Sequence, residues 1–155
     1  FHSCNSAALF RHNDFDEDLA RVGIVAYGCL AMPSAFESDN LKPVLSVYAS
    51  KISSRILKKS QSIGYGATYT ASEDCVVSNY DFGYGNGFLR LSSNNYISPD
   101  GYTLVGRVSM DNSSFVSKDE EILIFDDARD MAKSAQTISY EVLTSLKASI
   151  KRKIV

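Results

Sequence analysis

A phenol set between two glycines is the arrangement in this 155-residue chain that most directly suggests chemistry: Tyr65, in Ser62-Ile63-Gly64-Tyr65-Gly66-Ala67-Thr68-Tyr69-Thr70-Ala71. Neither neighbour carries a Cβ, so a ligand or another stretch of backbone can come close to the phenol. A phenol titrates near about 10, so one that exchanges protons near neutrality needs positive charge beside it. No lysine stands in a setting that would share this chemistry; the nine lysines fall at 42, 51, 58, 59, 118, 133, 147, 151 and 153. The alternative is a tyrosine at a turn or strand edge, one of nine in the chain.

The elements that must hold such a residue are mostly strands. Residues 44–56, 75–82, 102–110 and 121–125 carry β signals, broken by turns at Asn94-Asn95 and Pro99-Asp100-Gly101. They predict an antiparallel, Greek-key-like β-barrel or sandwich. Asp126 and Asp127 can cap a helix from Ala128 to Ser134. Ile138, Val142, Leu143, Leu146 and Ile150 have the spacing of one apolar helical face, and residues 149–155 read as a last strand. Before Met32 the character differs. Residues 1–6 and 20–27 read as ends of strands, each running into small residues, in an αβ alternation. Pro33, Ser34, Ser38, Asp39 and Asn40 interrupt the apolar pattern, which predicts a boundary dividing the chain into residues 1–38 and 39–155.

Composition narrows the function classes. With 45% hydrophobic residues the chain has material for a core, and a formal charge of −2 provides no field for capturing nucleic acid or an anionic membrane. The basic cluster Lys147, Lys151, Arg152 and Lys153 reads as a solvated chain end. Cys4, Cys29 and Cys75 are odd in number and widely spaced, as expected of free thiols in a reducing compartment, so a cytoplasmic location is expected and no metal site. The apolar run from Val22 to Met32 is shorter than the roughly 20 residues of a membrane helix. A start at Phe1 rather than Met, directly in apolar sequence, reads as a fragment or processed product.

Six segments, in order, resemble the signatures of bacterial alanine racemases. They are Phe1-His2-Ser3-Cys4-Asn5-Ser6-Ala7-Ala8, Ala20-Arg21-Val22-Gly23-Ile24-Val25-Ala26-Tyr27-Gly28, the Tyr65 stretch, Phe82-Gly83-Tyr84-Gly85-Asn86-Gly87-Phe88-Leu89-Arg90, Val105-Gly106-Arg107-Val108-Ser109-Met110-Asp111, and Thr137-Ile138-Ser139-Tyr140-Glu141-Val142. The resemblance spans nearly the whole chain but only the C-terminal portion of the family. It implies that residues 1–38 are the last strand-helix units of a (β/α)8 barrel and that the barrel's lysine, which anchors pyridoxal 5'-phosphate, is not among these residues. The chain by itself is then expected to be inactive.

The resemblance also implies roles. The Ser6 hydroxyl and the Gly23 and Ile24 amides would hold the cofactor phosphate, with Tyr140 adding a phenol hydrogen bond. Arg21 would face the pyridine nitrogen, oriented by His2. A guanidinium does not readily release a proton to that ring, so the ring stays largely unprotonated, which favours racemisation over transamination. Tyr65 would be one of two bases on opposite faces of the planar cofactor–substrate adduct, the other being the lysine. The family is a homodimer with a composite site, so Tyr65 would serve the other subunit, as would Tyr84 at the entrance and Met110 with Asp111, the Met110 backbone contacting the substrate carboxylate. The implied reaction interconverts L- and D-alanine, a supply of D-alanine for cell-wall precursors. Arg90 and Arg107 would line the entrance. Asn86 stands where the family often has aspartate, and Cys4 where it has alanine.

Other readings compete. Ser6 can be an ordinary helix cap, Gly23 a packing residue, His2 a satisfied histidine at a strand end, and the two arginines surface residues. The β-rich part can be a non-catalytic module for dimerisation or binding. A cofactor-dependent racemase of serine, lysine or another amino acid also fits, whereas decarboxylases of similar layout generally pair the pyridine nitrogen with a carboxylate, against which Arg21 argues.

Overall fold

The structure, a computed structural model, describes residues 1–11, 15–33 and 40–155. The boundary expected between residues 38 and 39 lies outside the described residues. The chain is mainly β, with a few short helices. Strands β1 (Val47–Leu57), β4 (Cys75–Tyr80), β5 (Ser113–Val116) and β6 (Glu121–Phe125) form one antiparallel sheet in the order β5-β4-β1-β6. Placing the last of four strands beside the first is the Greek-key order. Two-residue strands β2 (Ser62–Ile63) and β3 (Tyr69–Thr70) make a separate hairpin.

Strand β1 is what bends the sheet. Residues 47–50 pair with β6 and residues 51–57 pair with β4, with register shifts at Val47/Tyr48 and Lys51/Ser53. One long strand that exchanges partners half-way through irregular register curls a sheet towards a half-barrel. Its first half keeps the alternation expected of a strand with one face buried, Val47 and Ala49 inward and Tyr48 and Ser50 outward.

The concave side is filled by aromatic rings. Phe88 lies 5.6 Å from Phe82, 5.7 Å from Tyr96 and 6.3 Å from Phe115, ring centre to ring centre. The buried phenols are satisfied: Tyr80 donates to the Asp119 carbonyl at 2.8 Å and Tyr96 to the Ile124 carbonyl at 2.5 Å. Helices α2 (Ala128–Ser134) and α3 (Ser139–Ser145) close the same core with Ala128, Met131, Ala132 and Val142. As expected, Asp127 caps α2, accepting from the Arg129 amide at 2.9 Å. A smaller cluster, Leu57, Ala71, Val77 and Val105, lies by the hairpin.

Three expectations are corrected. Residues 102–110 form no strand: Val105 donates to Ser114 and Val116 to Thr103 alongside β5, but Gly106 turns away with φ +76° and ends the pairing. Residues 149–155 are neither strand nor helix; Ile150 packs on the core beyond the end of α3. The two N-terminal strand ends shrink to a single parallel bridge between Asn5 and Arg21, after which Ile24–Tyr27 winds into a 3-10 turn closed by left-handed Gly28. A short amphipathic run can form a tight turn as readily as a strand, and what decides here is burial of Ile24, Cys29 and Leu30 in the main core. Among the described residues no helix is long and apolar enough to cross a membrane.

Candidate active site

Tyr65 is presented by two glycines packed back to back. Gly64 (φ +83°) and Gly106 (φ +76°) meet so closely that a Cβ on Gly64 would stand 2.9 Å from the Arg107 amide nitrogen, and one on Gly106 would stand 3.1 Å from the Ile63 carbonyl oxygen. This contact fixes the turn Tyr65–Ala67 against the segment carrying Arg107, whose guanidinium comes within 3.5 Å of a Cβ placed on Gly66. Asn94 ties the two together, accepting from the Gly106 amide at 2.6 Å and donating to the Thr68 carbonyl at 3.3 Å. Tyr65 itself is 66% exposed, so its side chain faces outward from this platform. Beside it, Arg90, Ser93 and Arg107 line an open cleft of about 340 Å³.

A second clasp joins the remaining outward-facing residues. The Tyr84 amide donates to the Ser109 carbonyl at 2.9 Å and the Gly85 amide to the Met110 carbonyl at 2.7 Å. Gly83 admits no side chain, since a Cβ would lie 2.4 Å from the carbonyl oxygens of Ser109 and Met110. Tyr84 and Met110 are thereby brought together, with Asp111 exposed next to them and Arg90 5.8 Å above the Tyr84 ring. Asn86 accepts from the Gly83 amide at 3.0 Å and so shapes this loop from within.

The third group is built on the Asn5–Arg21 bridge. Helix α1 (Ser6–Arg11) is capped by Asn5, whose side-chain oxygen accepts from Ala8 at 3.0 Å, so the capping alternative for Ser6 falls away. Buried Ser6 instead accepts from the Gly23 amide at 3.0 Å. Around Gly23 the space is open, with nothing within 4 Å of where a Cβ would be, and buried Ile24 follows it. Arg21 donates to the His2 carbonyl at 2.6 Å, lies 3.2 Å from His2 Nδ1 and reaches the Ser3 carbonyl at 3.4 Å. Tyr140, 45% exposed, stands in the first turn of α3. Among the described residues no hydrogen bond joins this group to the Tyr65 or Tyr84 groups. The three thiols are unpaired, and burial pushes Cys4 and Cys29 up, away from nucleophilic thiolate character.

The family model for the alanine racemase C-terminal domain matches residues 44–154. The chain belongs to that family. The alanine racemase of Campylobacter curvus is 44% identical over all of this chain and 45% of its own length, and that of Nitratiruptor sp. is 43% identical over 98% of the chain and 44% of its own. The chain thus spans about half the length of the curated relatives it matches. Among solved structures, alanine racemase from Bartonella henselae with covalently bound pyridoxal phosphate aligns with a TM-score of 0.84 at 27% identity, covering 99% of this chain and 46% of that one. Alanine racemase from Acinetobacter baumannii aligns with a TM-score of 0.81 at 28% identity, covering 96% and 45%.

Sequence reasoning singled out the outward-facing residues but missed what holds them. The Gly64–Gly106 contact joins positions 42 apart in sequence, and the only local hint was a glycine at each. Arg107 close to the Tyr65 turn, Glu17 beneath Ser3 and Cys4, and Ser139 bonded to Cys29 likewise depend on long-range approach that periodicity does not encode.

Proposed function

We propose that this chain is the C-terminal portion of a pyridoxal 5'-phosphate-dependent racemase that interconverts L- and D-alanine in the cytoplasm, with residues 1–38 closing the cofactor barrel and residues 39–155 forming the β domain. The observation that carries the reading is Ser6. Its buried oxygen accepts from the Gly23 amide and the space beside Gly23 is open, so the hydroxyl hydrogen can turn towards a ligand oxygen there. These residues fit a phosphate, and Arg21 with His2 fits the far end of the same cofactor. When bound, that cofactor supplies an electron sink that acidifies the amino acid's α-hydrogen.

This chain's residues do the rest. Ser6, Ile24 and Tyr140 would hold the phosphate, joined by the Gly23 amide once it turns from Ser6 to the anion; Arg21, held by His2, would face the ring nitrogen without giving up a proton. Tyr65 moves a proton at the substrate α-carbon, Arg107 supplying positive charge near the turn that bears it. Tyr65, Tyr84, Met110 and Asp111 face outward, which suits a homodimer in which they complete the partner copy's site: Tyr84 narrows the entrance, and the Met110 backbone, with Asp111 beside it, meets the substrate carboxylate. A lysine outside these residues supplies the second proton-transfer group and the cofactor anchor.

The test compares two preparations. This chain alone, mixed with pyridoxal phosphate and then freed of unbound cofactor, is expected neither to retain stoichiometric cofactor absorbance nor to racemise alanine, and a sustained rate from highly purified chain overturns the reading. In the intact protein that carries these residues, Tyr65→Phe is expected to make solvent deuterium incorporation into L- and D-alanine strongly unequal. Rates that stay within about twofold of the parent in both directions overturn the role of Tyr65.

A further inference from the structure

Helix α3 begins with an unusual use of serine. Ser139 is the first helical residue and is 5% exposed, yet its hydroxyl does not cap its own helix; Ile138 holds the cap position without a side-chain bond. Instead Ser139 donates across the core to the Cys29 carbonyl at 2.9 Å, a bond between positions 110 apart. Cys29 and Leu30 are buried in the main cluster beside Val142 of the same helix. Upstream, the 3-10 turn Ile24–Tyr27 joins Cys29 to Gly23 in a few residues, and left-handed Gly28 is fixed by its close approach to the Lys42 carbonyl. The first turn of α3 is therefore tethered to the segment that carries Gly23 and Ile24.

The far end of α3 is fixed separately. The Lys147 backbone amide donates to the Asn86 carbonyl at 3.2 Å, and Gly87 (φ +112°) lies against the chain there, a Cβ at that position being 2.6 Å from the Ser145 carbonyl oxygen. The first turn also rests on the core through buried Val142 and follows the Thr137 amide, which donates to the Ala132 carbonyl of α2 at 2.9 Å. Ser139 adds the side-chain bond that ties this turn to Cys29, and the next residue is Tyr140.

We propose that Ser139 is a positioning residue for cofactor binding: by tying α3 to Cys29 it sets Tyr140 relative to Ser6 and the Ile24 amide, so that phenol, hydroxyl and amide address one phosphate. The proposal rests on the reading that those groups hold pyridoxal phosphate. Loss of the hydroxyl leaves the Cys29 carbonyl without its partner in a buried place and removes this tie on the first turn.

The experiment measures equilibrium affinity for pyridoxal phosphate by absorbance in the intact protein that carries these residues. Ser139→Ala is expected to weaken it about tenfold, in the range of losing one buried hydrogen bond. Ser139→Thr, which retains the hydroxyl, is expected to remain within about twofold of the parent. Ser139→Cys keeps the volume with a weak donor and is expected to fall between, which preserves the test if the alanine variant does not fold. With saturating cofactor, kcat is expected to change little. A lowered melting temperature with unchanged cofactor affinity overturns the proposal. Ser6→Ala, measured alongside, separates the two layers: if it too leaves affinity unchanged, the phosphate reading fails, whereas weakened binding in Ser6→Ala alone fails Ser139.

Discussion

Glu17 receives hydrogen bonds from the Ser3 hydroxyl and from the Ser3 and Cys4 amides, and these hold its carboxyl down from 4.5 to about 2. A carboxyl lowered on folding contributes stability that is present above its unfolded value and disappears as pH falls through the folded one. The bonded backbone is the stretch whose His2 and Ser3 carbonyls receive the Arg21 guanidinium. Acidification from about 4.5 towards 2 should therefore loosen the Arg21 group before the β-sheet, seen as loss of amide-exchange protection at Ser3, Cys4 and Arg21. Glu17→Gln should lack that pH dependence; superimposable profiles would remove the clamp. His2, Ser6 and Arg21 were legible in sequence only through the resemblance of their two segments to the alanine racemase signatures. Glu17 was not, because an acidic residue between Asp16 and Asp18 reads as one more solvated charge until a fold brings two amides to it.

At the scale of elements, legibility followed how local the cause was. Strand β6 and helix α2 matched their expected ranges because alternation and a capping aspartate are written within a few residues. Residues 102–110 were misread because their β pattern is real, yet Gly106 is needed elsewhere, as the surface on which Gly64 rests. Gly106→Ala adds both a left-handed penalty of about 1–2 kcal/mol and a contact at 3.1 Å with the Ile63 carbonyl. Gly101 offers the control, since it has φ +87° but nothing within 4 Å of a Cβ. Urea unfolding should show a larger loss for Gly106→Ala than for Gly101→Ala. Equal losses would mean that the contact presenting Tyr65 yields without cost.

For the molecule as a whole, the matched family region starts at residue 44, but the core does not. Ile24, Cys29 and Leu30 are buried in the same cluster as Tyr80, Phe88, Phe115 and Val142, and Ser139 finds its acceptor at Cys29. A change of composition near residue 38 marks where the character of the chain changes, and periodicity cannot reveal that packing continues past it. Removing residues 1–43 would uncover the side of the core that Ile24 and Leu30 seal. At about 1.5–3 kcal/mol per buried aliphatic side chain, those two account for roughly 3–6 kcal/mol, an upper range because an unfolded chain already buries some apolar surface. The shortened chain, residues 44–155, should therefore unfold at a distinctly lower urea concentration than residues 1–155, with α2 and α3 losing amide protection ahead of β1 and β4. If instead the midpoint and the order of protection are unchanged, the N-terminal segment lies on a core that is already complete. Tyr140 would then owe its position to the β domain alone.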